Sequence, residues 1–208
     1  MTAHRTNMTL SANLLLSFSL FALISSITPG PNNTMLLASG VAFGFRRTLP
    51  HMLGVTAGFF LMVASIGLGL GAAFDAFPSL YPWMRCLGAG YLLYLAWKIA
   101  RSASAATGER ESGGEPLRFL DAAAFQWVNP KSWTMSVAAL STYTPPERGL
   151  FSVVLIALLW ALITLPCVVL WTGCGSLIRR TLDDPARRRR LNQAMALLLV
   201  ASLYPMFR

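Results

Sequence analysis

Charged residues are scarce in this chain of 208 residues, and long stretches have none. Asp, Glu, Lys and Arg make up 12% of the sequence, about half of the roughly 25% that is usual in soluble domains. None occurs in 6–45, 48–74, 149–178 or 191–207. A helix that crosses a bilayer needs about 20 apolar residues, and these windows meet or approach that length. The composition therefore excludes an ordinary soluble domain and predicts a polytopic membrane protein.

Cysteine is also scarce, and its spacing matches neither a metal site nor a redox motif. Of Cys86, Cys167 and Cys174, the last two are seven residues apart, about 10 Å along a helix. That separation is too large for an unstrained disulfide. We expect no metal, no cofactor and no enzymatic activity. The net charge of +9 does not indicate a nucleic-acid partner, because the basic residues lie in loops between apolar segments.

The hydropathy windows predict an all-α protein with six membrane spans in a single transporter domain, 1–208. The spans are 10–45, 52–74, 83–100, 119–145, 150–175 and 191–207. The stretch 101–118 is rich in Ser, Ala, Gly, Glu and Arg, and it reads as a polar linker. Apolar spans imply the lipid bilayer as a partner, and a homodimer is compatible with such a chain.

Basic residues fall mainly on one side of these spans. The first, third and fifth loops hold 12 of the 17 Lys and Arg residues; the termini with the second and fourth loops hold 4, and Lys131 lies inside a span. Loops rich in Lys and Arg stay in the cytoplasm. The distribution therefore predicts a multi-pass protein with both termini in the periplasm.

Two of the spans contain helix-breaking sequences. The first span is interrupted at Thr28-Pro29-Gly30-Pro31-Asn32-Asn33, and the fourth at Trp127-Val128-Asn129-Pro130-Lys131. Backbone that is freed in a membrane needs protein or a watery cavity around it. Paired breaks in the two halves of a membrane protein indicate the binding site of a transporter.

The breaks also align the two halves of the chain. When 10–100 is laid over 119–208, Pro31 falls near Pro130 and Arg47 near Arg148. Three spans per half is an odd number, so the second copy enters the membrane from the opposite face. The spacing therefore predicts an inverted repeat, the arrangement found in many secondary transporters.

The predicted site has groups for both ends of an amino acid. The half-helices that begin after each break point their N-termini at the middle of the membrane, where free N–H groups suit a carboxylate. The preceding half-helices offer carbonyl groups to an ammonium. Asn129 is expected to cap the second half-helix, with Pro130 at its first position. We predict that the substrate-binding residues are Thr28, Pro29, Gly30, Pro31, Asn32, Asn33, Gln126, Trp127, Asn129, Pro130 and Lys131.

Three ionisable residues remain to be placed. Lys131 is the one cation predicted well inside a span, and we expect it either to bind the substrate carboxylate or to support loose carbonyl groups of the broken helix. Asp121 lies one turn after Arg118, and it is expected to couple transport to protons or to mark the cytoplasmic interface. His51 is expected at that interface too.

These motifs resemble the lysine exporter (LysE) family of translocators, nearer its homoserine/threonine exporter (RhtB) branch. The resemblance rests on Ser26–Asn33, Ala38–Arg47, Leu87–Trp97 and Phe125–Lys131. It implies a bacterial inner-membrane exporter of amino acids or related metabolites that is driven by the proton gradient.

Two other functions fit a six-helix chain of this kind. A membrane thiol–disulfide electron carrier needs a cysteine beside each break, but 22–34 and 122–134 contain none. An inorganic cation transporter needs Asp, Glu, His or Cys there, and Lys131 would repel its cargo. Both alternatives are therefore weaker than the exporter.

Overall fold

The computed structural model describes residues 12–70, 76–77, 79–102, 115–144, 149–180 and 184–204, and these ranges contain no strand. The all-α prediction is confirmed for them. The described ranges contain eight α-helices: α1 Ala12–Ile27, α2 Pro31–Phe43, α3 Phe45–Ser65, α4 Leu80–Ser102, α5 Phe119–Val128, α6 Pro130–Tyr143, α7 Gly149–Arg180 and α8 Pro185–Ala201. A π-helical turn, Ile66–Leu70, extends α3. Most of the predicted linker lies outside the described residues. The same holds for Asp75, which follows the second charge-free window, and for both chain ends.

Helix α3 begins seven residues before the predicted span. Gly44 ends α2 with a φ of 80°, a left-handed conformation that favours glycine. The chain therefore turns within one residue, and α3 starts at Phe45. Arg46 and Arg47 lie exposed in its first turn instead of in a loop.

Helices α3 and α7 pack against each other and form the centre of the fold. Glycines allow their neighbours to approach closely: Gly54 lies against the backbone of Phe119 in α5, and Gly40 of α2 lies against the backbone of Thr172 in α7. An aromatic cluster fills the space beside them. The rings of Phe18 and Phe59 meet that of Trp160 edge-on, with ring centroids 5.7 and 4.9 Å apart. Helices α4 and α8 form a second layer.

By length and hydropathy, two helices of the described residues can cross a membrane, Phe45–Leu70 and Leu150–Arg180. Helices α1 and α2 bend by 52° at their break and form a third span if they cross together. Large apolar side chains such as Leu16, Leu61 and Leu162 are exposed on these elements, as contact with lipid requires. The apolar helices are those of a multi-pass membrane protein. The six spans and the inverted repeat remain predictions.

Candidate functional site

The first break lies between α1 and α2. Pro29 and Pro31 lack the N–H groups that would continue the helix, so the last carbonyl groups of α1 need other donors. Side chains supply them. The Asn33 amide nitrogen donates to the carbonyl oxygens of Ser26 and Thr28, at 2.8 Å in each case. The Trp171 indole N–H of α7 donates to the Ile27 carbonyl oxygen at 3.1 Å. The end of α1 is therefore already hydrogen-bonded within the protein.

The Lys131 ammonium also donates to backbone carbonyl groups of the first break. Its Nζ atom lies 3.1 Å from the Thr28 carbonyl oxygen, 2.9 Å from Thr28 Oγ1 and 3.5 Å from the Pro29 carbonyl oxygen. An ammonium has three N–H donors. The two contacts with Thr28 account for two of them, and the 3.5 Å separation from Pro29 is long for a hydrogen bond. The carbonyl groups predicted to receive a substrate ammonium thus receive the Lys131 ammonium instead. Lys131 forms neither of the two salt bridges found among the described residues.

Gly30 brings the ammonium to the start of α2. A Cβ atom at Gly30 would lie 2.9 Å from Lys131 Cδ and 3.1 Å from Nζ, so only glycine leaves the lysine its present place. Gly30 is also the residue that precedes the first turn of α2. The positive charge of Lys131 therefore lies at the positive end of a helix dipole.

The second break has a complete cap. As the sequence predicts, Asn129 precedes α6 and Pro130 is its first residue. Asn129 Oδ1 accepts a hydrogen bond from the Lys131 backbone N–H at 3.2 Å, and the Asn129 carbonyl accepts one from the Ser132 N–H at 3.0 Å. The Trp133 indole donates to the Trp127 carbonyl oxygen at the end of α5, at 2.9 Å.

The start of α2 has no such cap. No side chain among the described residues accepts a hydrogen bond from its first turn. Pro31 has no N–H group, and the Thr34 N–H donates to the Gly30 carbonyl at 2.9 Å. The backbone N–H groups of Asn32 and Asn33 are left without a partner in the described part of the chain. Of the two helix starts, only α2 keeps free donors.

A pair of amide side chains joins the two breaks. The Asn32 amide nitrogen donates to Gln126 Oε1 at 2.8 Å, and the Gln126 amide nitrogen donates to Asn32 Oδ1 at 3.1 Å. Gln126 is fully buried and also contacts the Ala122 carbonyl and the Ser132 hydroxyl, at 3.0 and 3.3 Å. Residues 94 positions apart are thereby held in one network.

A cavity with about 420 Å³ of empty space, its open mouth included, lies between the breaks. Of the predicted binding residues, Gly30, Pro31, Asn32, Asn33, Asn129 and Lys131 line it. Thr28 is outside the lining and contacts the lining residues Lys131 and Asn33, and Pro29 contacts Lys131. Gln126 is also outside the lining and is hydrogen-bonded to Asn32 and Ser132, which line the cavity. Trp127 and Pro130 are outside the lining, and the Trp127 ring packs against Trp133, with centroids 6.3 Å apart. Asp121 is exposed on α5.

The remaining cavity walls were not predicted. On α3, Val55 and Phe59 contribute apolar surface. On α7, Val168 contributes apolar surface and Thr164 a hydroxyl group. The other residues of these walls are Ser25, Ser26, Ser132 and Met135. The Thr164 hydroxyl lies 3.2 Å from the Ser26 hydroxyl, which accepts a hydrogen bond from the Trp160 indole at 3.2 Å. In the sequence, the polar residues Ser25, Ser26 and Thr164 within largely apolar segments were the features that could have indicated these walls.

Comparison with known proteins supplies the family. The family model described as "LysE type translocator" matches residues 23–202. The chain is 36% identical over 191 residues to a cysteine/O-acetylserine efflux protein of Salmonella typhimurium, an alignment that covers 90% of this chain and 94% of the relative. It is 35% identical over 195 residues to the protein of the same name in Escherichia coli K12, with 92% and 96% covered. No solved structure matches the chain. The predicted resemblance is confirmed, and the chain belongs to the LysE type translocator family.

Proposed function

We propose that the chain exports small amino acids or their derivatives from the bacterial cytoplasm through the inner membrane, in exchange for protons. The observation that carries this proposal is the uncompensated positive charge between the breaks. The Lys131 ammonium, the free N–H groups of Asn32 and Asn33 and the dipole of α2 converge there, and no carboxylate of the described residues pairs with them. A positive charge inside a membrane protein needs a partner. A substrate carboxylate provides it.

The rest of the cavity fits the remainder of a small amino acid. Val55, Phe59 and Met135 supply apolar contacts for a short side chain, and the hydroxyl groups of Ser25, Ser26 and Thr164 supply acceptors for an ammonium. Cysteine and O-acetylserine, which the related efflux proteins are named for, are therefore the substrates to test first.

The proposed transporter is one domain of six spans built as an inverted repeat. Helices that occupy the same position in the two halves pack against each other, α3 with α7 and α4 with α8. A two-fold relation between the halves would produce these pairs. The cytoplasmic side is the side of the basic loops, which places both termini in the periplasm.

Efflux from loaded cells tests the function. Bacteria that express the chain and are preloaded with radiolabelled cysteine, O-acetylserine, homoserine, threonine or lysine should lose at least one of them faster than cells with the empty vector. A protonophore should remove the difference, because the proton gradient is the proposed energy source. Equal efflux rates for every compound in the panel would overturn the exporter proposal.

A further inference from the structure

His51 is a buried ionisable residue that the proposed binding site does not use. Its side chain is 1% exposed, so other parts of the protein surround it. His51 lies about 9 Å along α3 from Phe45, and its position at the membrane interface remains a prediction. Neither ring nitrogen has a hydrogen-bond partner among the described residues.

The surroundings of His51 connect it to the cavity. Val55, one helical turn further along α3, lines the cavity between the breaks. One turn in the other direction, the Thr48 hydroxyl lies 3.1 Å from the Ser39 hydroxyl of α2, and both residues are buried. Side chains three or four positions apart are neighbours on a helix surface. His51 therefore lies between a buried pair of hydroxyl groups and the wall of the cavity.

No charged side chain of the described residues pairs with the imidazole. Helix α2, which packs against this part of α3, has no ionisable residue. The ionisable residues on the other helices that contact α3 are Asp121 in α5, Lys131 and Tyr143 in α6, and Cys167, Cys174, Arg179 and Arg180 in α7. Arg118, which precedes α5, is also exposed. Asp121, Arg179 and Arg180 are exposed, and Lys131 donates to Thr28.

A buried polar group without a partner destabilises the fold, so the presence of one calls for an explanation. Histidine is the residue whose charge ordinarily changes between about pH 5 and 8. A protonated imidazole needs acceptors for two N–H groups, which the packing seen here does not supply. Protonation therefore favours a different arrangement of α3, one in which water reaches His51.

We propose that His51 is the proton-binding residue that couples the proton gradient to export. This inference rests on the proposed function. One ring nitrogen takes up a proton that arrives from the periplasm, and the imidazolium holds α3 in the hydrated arrangement. Release of that proton to the cytoplasm restores the packed arrangement described here. Because Val55 moves with α3, the shape of the cavity changes with each proton bound or released.

Transport by the purified protein in liposomes tests this role. Two measurements are made with each radiolabelled compound of the efflux panel, L-cysteine being kept reduced. The first is exchange between equal internal and external pools without a pH gradient, and the second is net transport driven by a pH gradient. His51→Gln should keep exchange within about twofold of wild type and lose the stimulation by the gradient. Thr172→Val, which alters another buried group without a partner but cannot change charge, should keep both activities. Asp121→Asn should also keep both.

The possible outcomes distinguish the proposed function from the coupling role of His51. Wild-type protein with neither exchange nor net transport of the compounds in the efflux panel removes the proposed function, and this inference with it. If the wild-type protein is active and the His51→Gln variant still responds to the gradient, the coupling role of His51 is wrong and the proposed function stands. Folded His51→Gln protein that loses exchange as well as net transport also overturns it, because the residue then serves binding or structure rather than coupling.

A measurement on the native residue does not depend on that variant folding. The chain has two histidines, His4 and His51, so His4→Ala protein with isotope-labelled histidine gives one imidazole signal by NMR. Its titration midpoint should move when L-cysteine saturates the protein, since binding sites that are coupled affect each other reciprocally. The same midpoint with and without L-cysteine, in protein shown to bind it, would contradict the proposal.

Discussion

At the scale of single residues, we propose two roles for Lys131 that follow from one position. Its ammonium satisfies the Thr28 and Pro29 carbonyl groups, which supports the broken end of α1. The same ammonium lies beside Gly30 at the positive end of α2, where it increases the attraction for an anion. The two interpretations of Lys131 left open by the sequence are therefore compatible.

Lys131→Ala should weaken substrate binding and also destabilise the protein. Loss of a hydrogen bond to a charged group costs on the order of 1.5–3 kcal/mol, or about ten- to a hundredfold in affinity. The melting temperature should fall as well, because the Thr28 carbonyl and hydroxyl groups lose their contacts with the ammonium. Binding and thermal unfolding of the purified protein in detergent measure both effects.

Lys131→Arg is the companion variant. It keeps the charge, but its planar head does not fit the space beside Gly30, so we expect partial loss of affinity. If Lys131→Ala binds the transported amino acid as tightly as wild type, Lys131 is not part of the binding site. If its stability is unchanged too, the contacts with Thr28 contribute little.

The sequence predicted local chemistry at this scale better than distant contacts. The Asn129 cap was predictable because it involves residues two positions apart. The bond from Lys131 to Thr28 spans 103 residues, and it depends on how α1 and α6 meet. The burial of His51 depended on the exact start of α3. Neither could be obtained from residue types alone.

At the scale of helices, glycines determine how closely α2 and α7 pack. A Cβ atom at Gly175 would collide with the Leu37 carbonyl oxygen and would lie 3.0 Å from the Val41 nitrogen. Backbone atoms cannot move aside as the end of a side chain can. Small residues at such crossings are a common basis of helix association in membranes.

Gly175→Ala should destabilise the protein by about 1–3 kcal/mol, because the added methyl group forces α2 away from α7. Gly173, two residues earlier in the same helix, provides a matched control, since a Cβ there meets no atom within 4 Å among the described residues. Gly173→Ala should be neutral or stabilising by up to about 1 kcal/mol through helix propensity. Thermal unfolding compares the two, and equal effects would contradict this account of the crossing.

The elements themselves were largely predictable. Proline and glycine located both breaks, which the structure has at 28–30 and at Asn129. Helix ends were harder, because hydropathy marks the apolar part of a helix and not where the backbone stops. Helix α7 continues to Arg180, five residues beyond its predicted span. The cavity walls on α3 and α7 were missed because Val55 and Val168 resemble any other residue of an apolar helix.

At the scale of the whole molecule, orientation in the membrane follows from charge. The basic residues of the described part, such as Arg46, Arg118 and Arg179, lie exposed near helix ends. On the predicted topology, these three ends share the cytoplasmic side. The orientation sets the direction of transport and the side from which His51 receives a proton.

Cysteine labelling should locate the loops. In a chain with Cys86, Cys167 and Cys174 replaced by serine or alanine, a cysteine introduced at Ser112 should react with a membrane-impermeant maleimide only after the cells are opened. A cysteine introduced at Ser79, in the second loop, should react in intact cells. Labelling of position 112 in intact cells would reverse the predicted orientation. Labelling of positions 79 and 112 from the same side would contradict the third span, and with it the inverted repeat.

The difference between the two helix starts has a consequence for stereochemistry. A site with true two-fold symmetry would hold an amino acid equally well in two opposite orientations. Asn129 closes one start with its own side chain, while the other, after Gly30, stays open. In the proposed site one carboxylate position therefore remains, and the substrate's side chain projects toward one wall. On the predicted inverted repeat, this difference selects a single orientation of the amino acid, which the chiral surroundings can then match to one mirror form.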